Sequence, residues 1–348
     1  MNTLEFGLET FGDVTYAQDG TKKEQAAVLR DVLAEAELAD RLGVDIFGVG
    51  EHHRDDYAVS APDTLLAAIA ARTERIRVGS AVTVLSSDDP IRVFQRFSTI
   101  NAISNGRAEV ILGRGSFTES FPLFGYALSD YEELFEQKLE IFAQLAKSGE
   151  VTWSGTIRTP LDHQVVYPPI EGGGQLRTLV GVGGSPQSVV RAASYGFPLV
   201  LAIIGGSADR FAPFANLYRQ SLAQLGSEQL PIAIHSIGHV AETDELAKDQ
   251  LFPGWAEAFG RIGRERGWGS SMTRGHFEQE AGPEGALYVG SPETVANKIV
   301  RSLSVLGATR FDMKYANGPM PHEQLMSSIE LYATEVIPRV RAAMAASA

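Results

Sequence analysis

Asp45-Ile46-Phe47-Gly48-Val49-Gly50-Glu51-His52-His53 is a strand-like apolar run that stops abruptly in a carboxylate and two imidazoles. Arg54, Asp55 and Asp56 then carry the chain into solvent. In a sheet whose strands all run one way, the carboxyl ends of the strands are where active sites are built. The fold therefore turns on whether this strand belongs to such a sheet.

Outward from this stretch the same alternation recurs. Strand-like runs occupy residues 4–9, 45–50, 76–85, 108–113, 178–183, 198–204, 232–240 and 310–314. Helical spacing of apolar residues fills 24–42, 60–72, 91–103, 131–145, 186–195, 210–225, 292–306 and 322–340. Ser60-Ala61-Pro62-Asp63 reads as a cap followed by an early-turn proline. Gly43, Asn105-Gly106, Gly149, Gly196, Gly226 and Gly307 stand where helices must stop. Eight strands, each followed by a helix, predict an α/β fold of the (β/α)8 TIM-barrel type, one domain over residues 1–348. Near-continuous apolar strands fit burial on both faces. On order alone an open doubly wound sheet is the alternative. Two stretches exceed normal loop length: 151–177 predicts an insertion before strand 5, and 267–290 an insertion before strand 8 that suits a mobile lid.

Composition narrows the function. The 348 residues are 44% hydrophobic and 21% charged, with a net charge of −13 and no long basic run. Such a balance argues against nucleic acid as a partner, because that binding needs clustered Lys and Arg. Zero cysteines exclude disulfides, thiolate nucleophiles and Cys-ligated metal centres. The N-terminus carries neither a basic region nor a long apolar core, and no apolar run approaches the roughly 20 residues that span a bilayer. A cytoplasmic protein with no membrane partner is expected.

Three stretches carry candidate chemistry. His52 and His53 are adjacent, so strand alternation turns only one of them toward a barrel centre. The other histidines form no HExxH pair, and no metal site is expected. The plain reading of the pair is ordinary loop histidines bonded to nearby carboxylates. Leu179-Val180-Gly181-Val182-Gly183-Gly184-Ser185-Pro186-Gln187-Ser188 runs from a strand through glycines into a helix start, which suits a phosphate held by Gly183, Gly184, Ser185 and Ser188. Pro186 stands where a dinucleotide fingerprint needs its third glycine, so a Rossmann site is not supported; the plain reading is a strand–helix turn capped by Ser185. Leu112-Gly113-Arg114-Gly115 places an arginine between glycines at a strand end, within reach of a phosphate or, more plainly, of a surface salt bridge to Glu119 or a nearby Asp. Small residues in Gly79-Ser80-Ala81-Val82-Thr83 suit something flat lying against the backbone, or plain barrel packing.

These stretches, in this order, resemble the bacterial luciferase-like flavin-dependent oxidoreductases over nearly the whole chain. Glu51-His52-His53, the run from Arg75 to Pro90, Asn105-Gly106-Arg107, Leu112-Gly113-Arg114-Gly115, the 289–295 stretch and the terminal Glu335-Val336-Ile337-Pro338 carry the likeness. The resemblance implies FMN, or in some branches a deazaflavin, bound at the C-terminal mouth of the barrel. It implies that Arg114 and the Gly183-Gly184-Ser185…Ser188 turn hold the FMN phosphate. Ala81, Val82 and Thr83 would lie at the ring, with a non-proline cis peptide at Ala81-Val82. His52 matches the histidine beside the flavin's reactive centre and is the expected catalytic residue. Luciferase's reactive cysteine is Gly113 here, and the sixth strand ends in Ala202-Ile203-Ile204 without luciferase's tryptophan, so light emission and a long-chain aldehyde are not implied.

The expectation is an FMN-dependent monooxygenase acting on a small organic substrate, with reduced FMN delivered by a separate reductase. A homodimer or higher homo-oligomer is expected from the family. A flavin- or deazaflavin-dependent dehydrogenase, a non-catalytic flavin-binding protein and a metal-dependent barrel hydrolase are the alternatives.

Overall fold

The computed structural model describes residues 3–17, 19–115, 117–266 and 272–346. Eight parallel strands close on themselves: β1 (Glu5–Thr10), β2 (Ile46–Val49), β3 (Arg77–Ser80), β4 (Ala108–Gly113), β5 (Arg177–Val182), β6 (Leu199–Ile203), β7 (Ile232–Val240) and β8 (Arg310–Lys314). The ring closes where β8 pairs with β1, with Gly7 level with Asp312 and Glu9 level with Lys314. The expected (β/α)8 barrel is therefore the fold.

Between the strands run α1 (Gln25–Leu42), α2 (Pro62–Arg72), α3 (Pro90–Ile103), α4 (Tyr131–Ser148), α5 (Pro186–Ser194), α6 (Ala212–Gln224), α7 (Asp244–Arg266), α8 (Arg274–Ala281) and α9 (Pro292–Leu306), followed by the helix His322–Leu331 and, through a π-helical turn, the C-terminal helix Ile337–Ala346. Caps set several starts. Asp89 accepts from the backbone N–H groups of Ile91 and Arg92, Ser185 from that of Ser188, and Ser291 from that of Thr294, each with a proline in the first turn.

The core lies mainly between barrel and helices. Phe6, Leu8, Phe47, Val49, Val78, Val110, Leu112, Leu201, Ile203, Ile234, Phe311 and Met313 pack outward against them. Inside the barrel a small separate cluster of Ile111, Leu179, Val200 and Ala233 supports Val82. The expectation of near-continuous apolar strands fails at β1 and β8. Both alternate strictly, with Glu5, Gly7 and Glu9, or Arg310, Asp312 and Lys314, on the opposite face from their apolar neighbours.

Both insertions are built. The one before β5 is an antiparallel hairpin of Glu150–Trp153 and Leu161–Val165. The one before β8 begins earlier than expected, at α7, which carries Pro253 within it. A β-carbon at Gly254 would stand 2.8 Å from the Pro319 carbonyl, so glycine serves close packing there. Of the expected lid, residues 267–271 lie outside the described residues. The remainder forms α8, whose Phe277 is fully buried against Phe252 and Trp255, and a short strand Tyr288–Gly290 paired with the end of β7.

Candidate active site at the mouth of the barrel

A cavity of about 190 Å³ opens at the C-terminal ends of the strands. Ala81, Val82, Ile111, Gly113, Gly181 and Val200 give it an apolar floor, and Arg114 and Gly183 stand at its edge. The Ala81-Val82 peptide is cis. Space around it is reserved by glycines. A β-carbon at Gly113 would lie 2.4 Å from Val82 Cγ2, and one at Gly50 2.5 Å from the Ala81 carbonyl oxygen. The neighbouring backbone thus lets the 81–82 link reach the cavity.

Beyond Gly183, which lines the cavity, the chain runs into the start of α5, which carries further donors. Ser185 Oγ caps α5, and Ser188 Oγ, in its first turn, is buried with no hydrogen-bond partner among the described residues. Arg191 Nη1, one turn further on, is in the same condition. Arg114 pairs with Glu132, and Glu132 also reaches Arg191 at 3.5 Å, which ties Arg114 to α5. The partner expected for Arg114 on the plain reading, Glu119, is bound elsewhere. Gly184 has φ +113°, a conformation that other residues rarely adopt. Unsatisfied donors in the first turns of a helix fit an anion.

The loop after β2 stands beside this cavity. Glu51 accepts a hydrogen bond from the Val84 backbone N–H at 2.7 Å and pairs with His53 Nε2 at 3.2 Å. It thereby braces the segment that follows Ala81-Val82. His52 Nδ1 meets Glu119 at 3.3 Å, and its ring lies among Phe11, Tyr57 and Phe117 at 4.6–4.8 Å. Phe11 lines the cavity; His52 does not. His52 therefore sits one aromatic ring behind the mouth. Thr83 also faces away, lining a second cavity of about 350 Å³ with Glu51, His53, Asp88, Arg96 and Phe124. That cavity is the larger, and it lies among the loops after β2 and β3, the start of α2 and the middle of α3.

The model of the luciferase-like monooxygenase family matches residues 10–310. The chain belongs to that family. Among its relatives, the alkanal monooxygenase alpha chain of Photorhabdus luminescens is 21% identical over 94% of this chain and 96% of its own. Among solved structures, monooxygenase RslO1 from Streptomyces bottropensis superposes with a TM-score of 0.82 at 24% identity, covering 96% of this chain and 99% of that one. The oxygenating constituent of 3,6-diketocamphane monooxygenase from Pseudomonas putida, solved with FMN, gives 0.77 at 19%, over 97% and 99%. The coenzyme F420-dependent tetrahydromethanopterin reductase of Methanopyrus kandleri gives 0.73 at 18%, over 97% and 100%. At these identities the structural matches speak for the fold.

In this luciferase-like protein two cavity residues escaped the sequence reading: Glu9 and His235. They form a pair, His235 Nδ1 against Glu9 Oε2, with Glu9 almost fully buried. Around them the barrel interior holds further charge. Arg310 binds Asp312 and Glu109, Lys314 binds Asp13 at 3.0 Å, and Arg77 and Arg177 bridge Glu5 and Glu109. The available signal was the alternation in β1 and β8, where charges or glycine fall on every second residue.

Proposed function

We propose that this protein is an FMN-dependent monooxygenase that oxidises a small organic substrate at the barrel mouth. One observation carries the reading: a flat apolar floor at Ala81-Val82 shares its cavity with Arg114 and Gly183, next to the unsatisfied donors of α5. A planar ring bearing a phosphate has the shape and charge that this arrangement accepts. The donor set suits FMN: Arg114, Gly184, Ser185 and Ser188 would hold the phosphate, and Ala81, Val82 and the adjoining Thr83 backbone would support the ring. When bound and reduced, FMN supplies the electrons that activate dioxygen.

The chain's own residues then have distinct roles. Arg114 orients the cofactor and does no chemistry. His52, with Nδ1 on Glu119, is proposed to handle a proton, reaching the cavity past Phe11. Phe11, Tyr57 and Phe117 exclude water from that side. Reduced FMN would come from a separate reductase, and a homodimer or higher homo-oligomer is the proposed assembly. Hydride transfer from a deazaflavin or from FMN is the rival chemistry in the same mouth, and turnover without oxygen tells it apart.

The test is a titration with FMN, oxidised and reduced, of wild type, Arg114→Ala and His52→Ala. Loss of a charged hydrogen-bonding partner is worth about 1.5–3 kcal/mol, so Arg114→Ala should weaken FMN about 10- to 100-fold and leave riboflavin unchanged. His52→Ala should bind FMN as wild type does and lose turnover. If wild type binds neither form of FMN more tightly than about 1 mM, the reading is wrong.

A further inference from the structure

We propose that His235, held by Glu9, is a second proton-donating residue of the mouth cavity, meeting the ring of the bound cofactor through Nε2. The proposal rests on the flavin reading above and adds a residue to it. His235 lies in the middle of β7, level with Ala202 of β6 and Asp312 of β8, on the same face as the interior residue Ala233. Nδ1 is engaged by Glu9, which reaches it from β1. Nε2 has no hydrogen-bond partner among the described residues, and the ring lines the cavity. Arg114 lines the same cavity, so a ligand anchored there by a phosphate has its remainder to place toward His235.

The charges packed against the imidazole favour its cationic form. Glu9 comes from β1, and Asp312 and Lys314 from β8, while β6 presents only the uncharged Ala202. Lys314 is committed to Asp13 and to the Ala316 carbonyl, and Arg310 to Asp312 and Glu109. Arg77, Arg177 and Arg310 are engaged by Glu5, Glu109 and Asp312, and Lys314 by Asp13, while the ion-pair partner of Glu9 among the described residues is His235. Burial opposes the charge on this imidazole, but Glu9 outweighs it and raises the ring above its ordinary value. Burial, with Glu9 and Glu109, also pushes the Asp312 carboxyl up to about 7 against the pull of Arg310. Of the ionisable groups in this interior, Glu9 and His235 line the cavity.

In the transfer the Nε2–H bond breaks and the proton passes to a nitrogen or oxygen of the bound ring. The imidazole is left neutral, with Nδ1–H still donating to Glu9, and solvent restores the proton through the mouth. Before transfer, the same cation stabilises negative charge on the ring.

The experiment is an anaerobic pH titration of the absorbance of bound reduced FMN in wild type, His235→Asn and Glu9→Gln. Replacing His235 should move the ionisation of the bound reduced ring upward by about one pH unit, a tenfold loss of preference for the anion. Glu9→Gln should move it in the same direction by less, and affinity for oxidised FMN should change less than about threefold. A purely structural tie between β1 and β7 would lower the melting temperature and leave the ionisation where it was; that result overturns the proposal. Absence of any flavin binding to wild type would instead sink the flavin reading, and this proposal with it. Should His235→Asn not fold, wild type labelled with 15N-histidine decides, with the His235 resonance assigned from Glu9→Gln. Its ring must shift on addition of reduced FMN, and a ring that does not respond overturns the assignment.

Discussion

Position 113 has room for a hydrogen atom and little else. The 2.4 Å separation from Val82 Cγ2 forbids any β-carbon without moving the floor of the cavity, so a cysteine there is sterically excluded in this protein. Gly113→Ala should cost about 1–3 kcal/mol in a denaturant melt and weaken FMN as Val82 is displaced. Glu132 poses the opposite case. It is exposed yet sits on Arg114, where a phosphate would sit. An exposed ion pair contributes about 0.2–1 kcal/mol, so Glu132→Gln should tighten FMN by at most about fivefold and leave riboflavin unaffected. Unchanged FMN affinity would show that Glu132 does not compete. At this scale the sequence pointed to residues whose type and setting suggest a role, namely Arg114 between glycines, which lines the cavity, and Ser185 and Ser188, which lie at the start of α5. It missed Glu9 and His235 because neither stands in a motif. Their pairing crosses from the first strand to the seventh, which local reading does not reach.

Among the elements, the helix His322–Leu331 is fastened to α1 by a titrating contact. Glu35, nearly fully buried, accepts from the Tyr315 hydroxyl at 2.5 Å and meets His322 Nδ1 at 3.0 Å. The bond to Glu35 raises His322 above its ordinary value, with burial opposing. A raised histidine stabilises most fully below its unfolded value of about 6.5, and the contribution is lost as pH rises through the folded value. Stability should therefore decline between about pH 6.5 and the raised value, and His322→Asn should flatten that stretch of a melting-temperature profile. A profile identical in both proteins would rule the contact out as a contributor. Strands and barrel helices were largely legible as elements, since periodicity and caps are local. The α7 helix was not, because Pro253-Gly254 resembles an ending until Pro319 is seen to pack against it.

For the molecule as a whole, stability depends on charges sealed inside the barrel. Arg310 is almost fully buried between Glu109 and Asp312, both fully buried. Arg310→Met would leave two carboxylates without their principal counterion. Breaking a buried pair in this way costs about 3–5 kcal/mol, and the loss should appear as a lower melting temperature that partly recovers at acid pH, where the carboxylates protonate. An unaltered melt would mean that Arg77 and Arg177 carry Glu109 alone. The barrel itself was readable because eight strand–helix repeats leave few other architectures. Its charged interior was not, because 21% charged residues is an ordinary figure until their positions are known.

The glycines of β1, β2 and β3 give this interior a consequence for descent. A β-carbon at Gly7 would fall 2.1 Å from Asp312 Oδ1, one at Gly48 2.8 Å from Glu9 Cγ, and one at Gly79 2.6 Å from Glu109 Cγ. Each glycine lends its volume to a carboxylate on a neighbouring strand, so the two positions form one heritable unit. Relatives that carry a side chain at position 7 are expected to carry something smaller than aspartate at position 312, and the other two pairs should drift together in the same way. A side chain added at the glycine alone meets the carboxylate; loss of the carboxylate first opens the route.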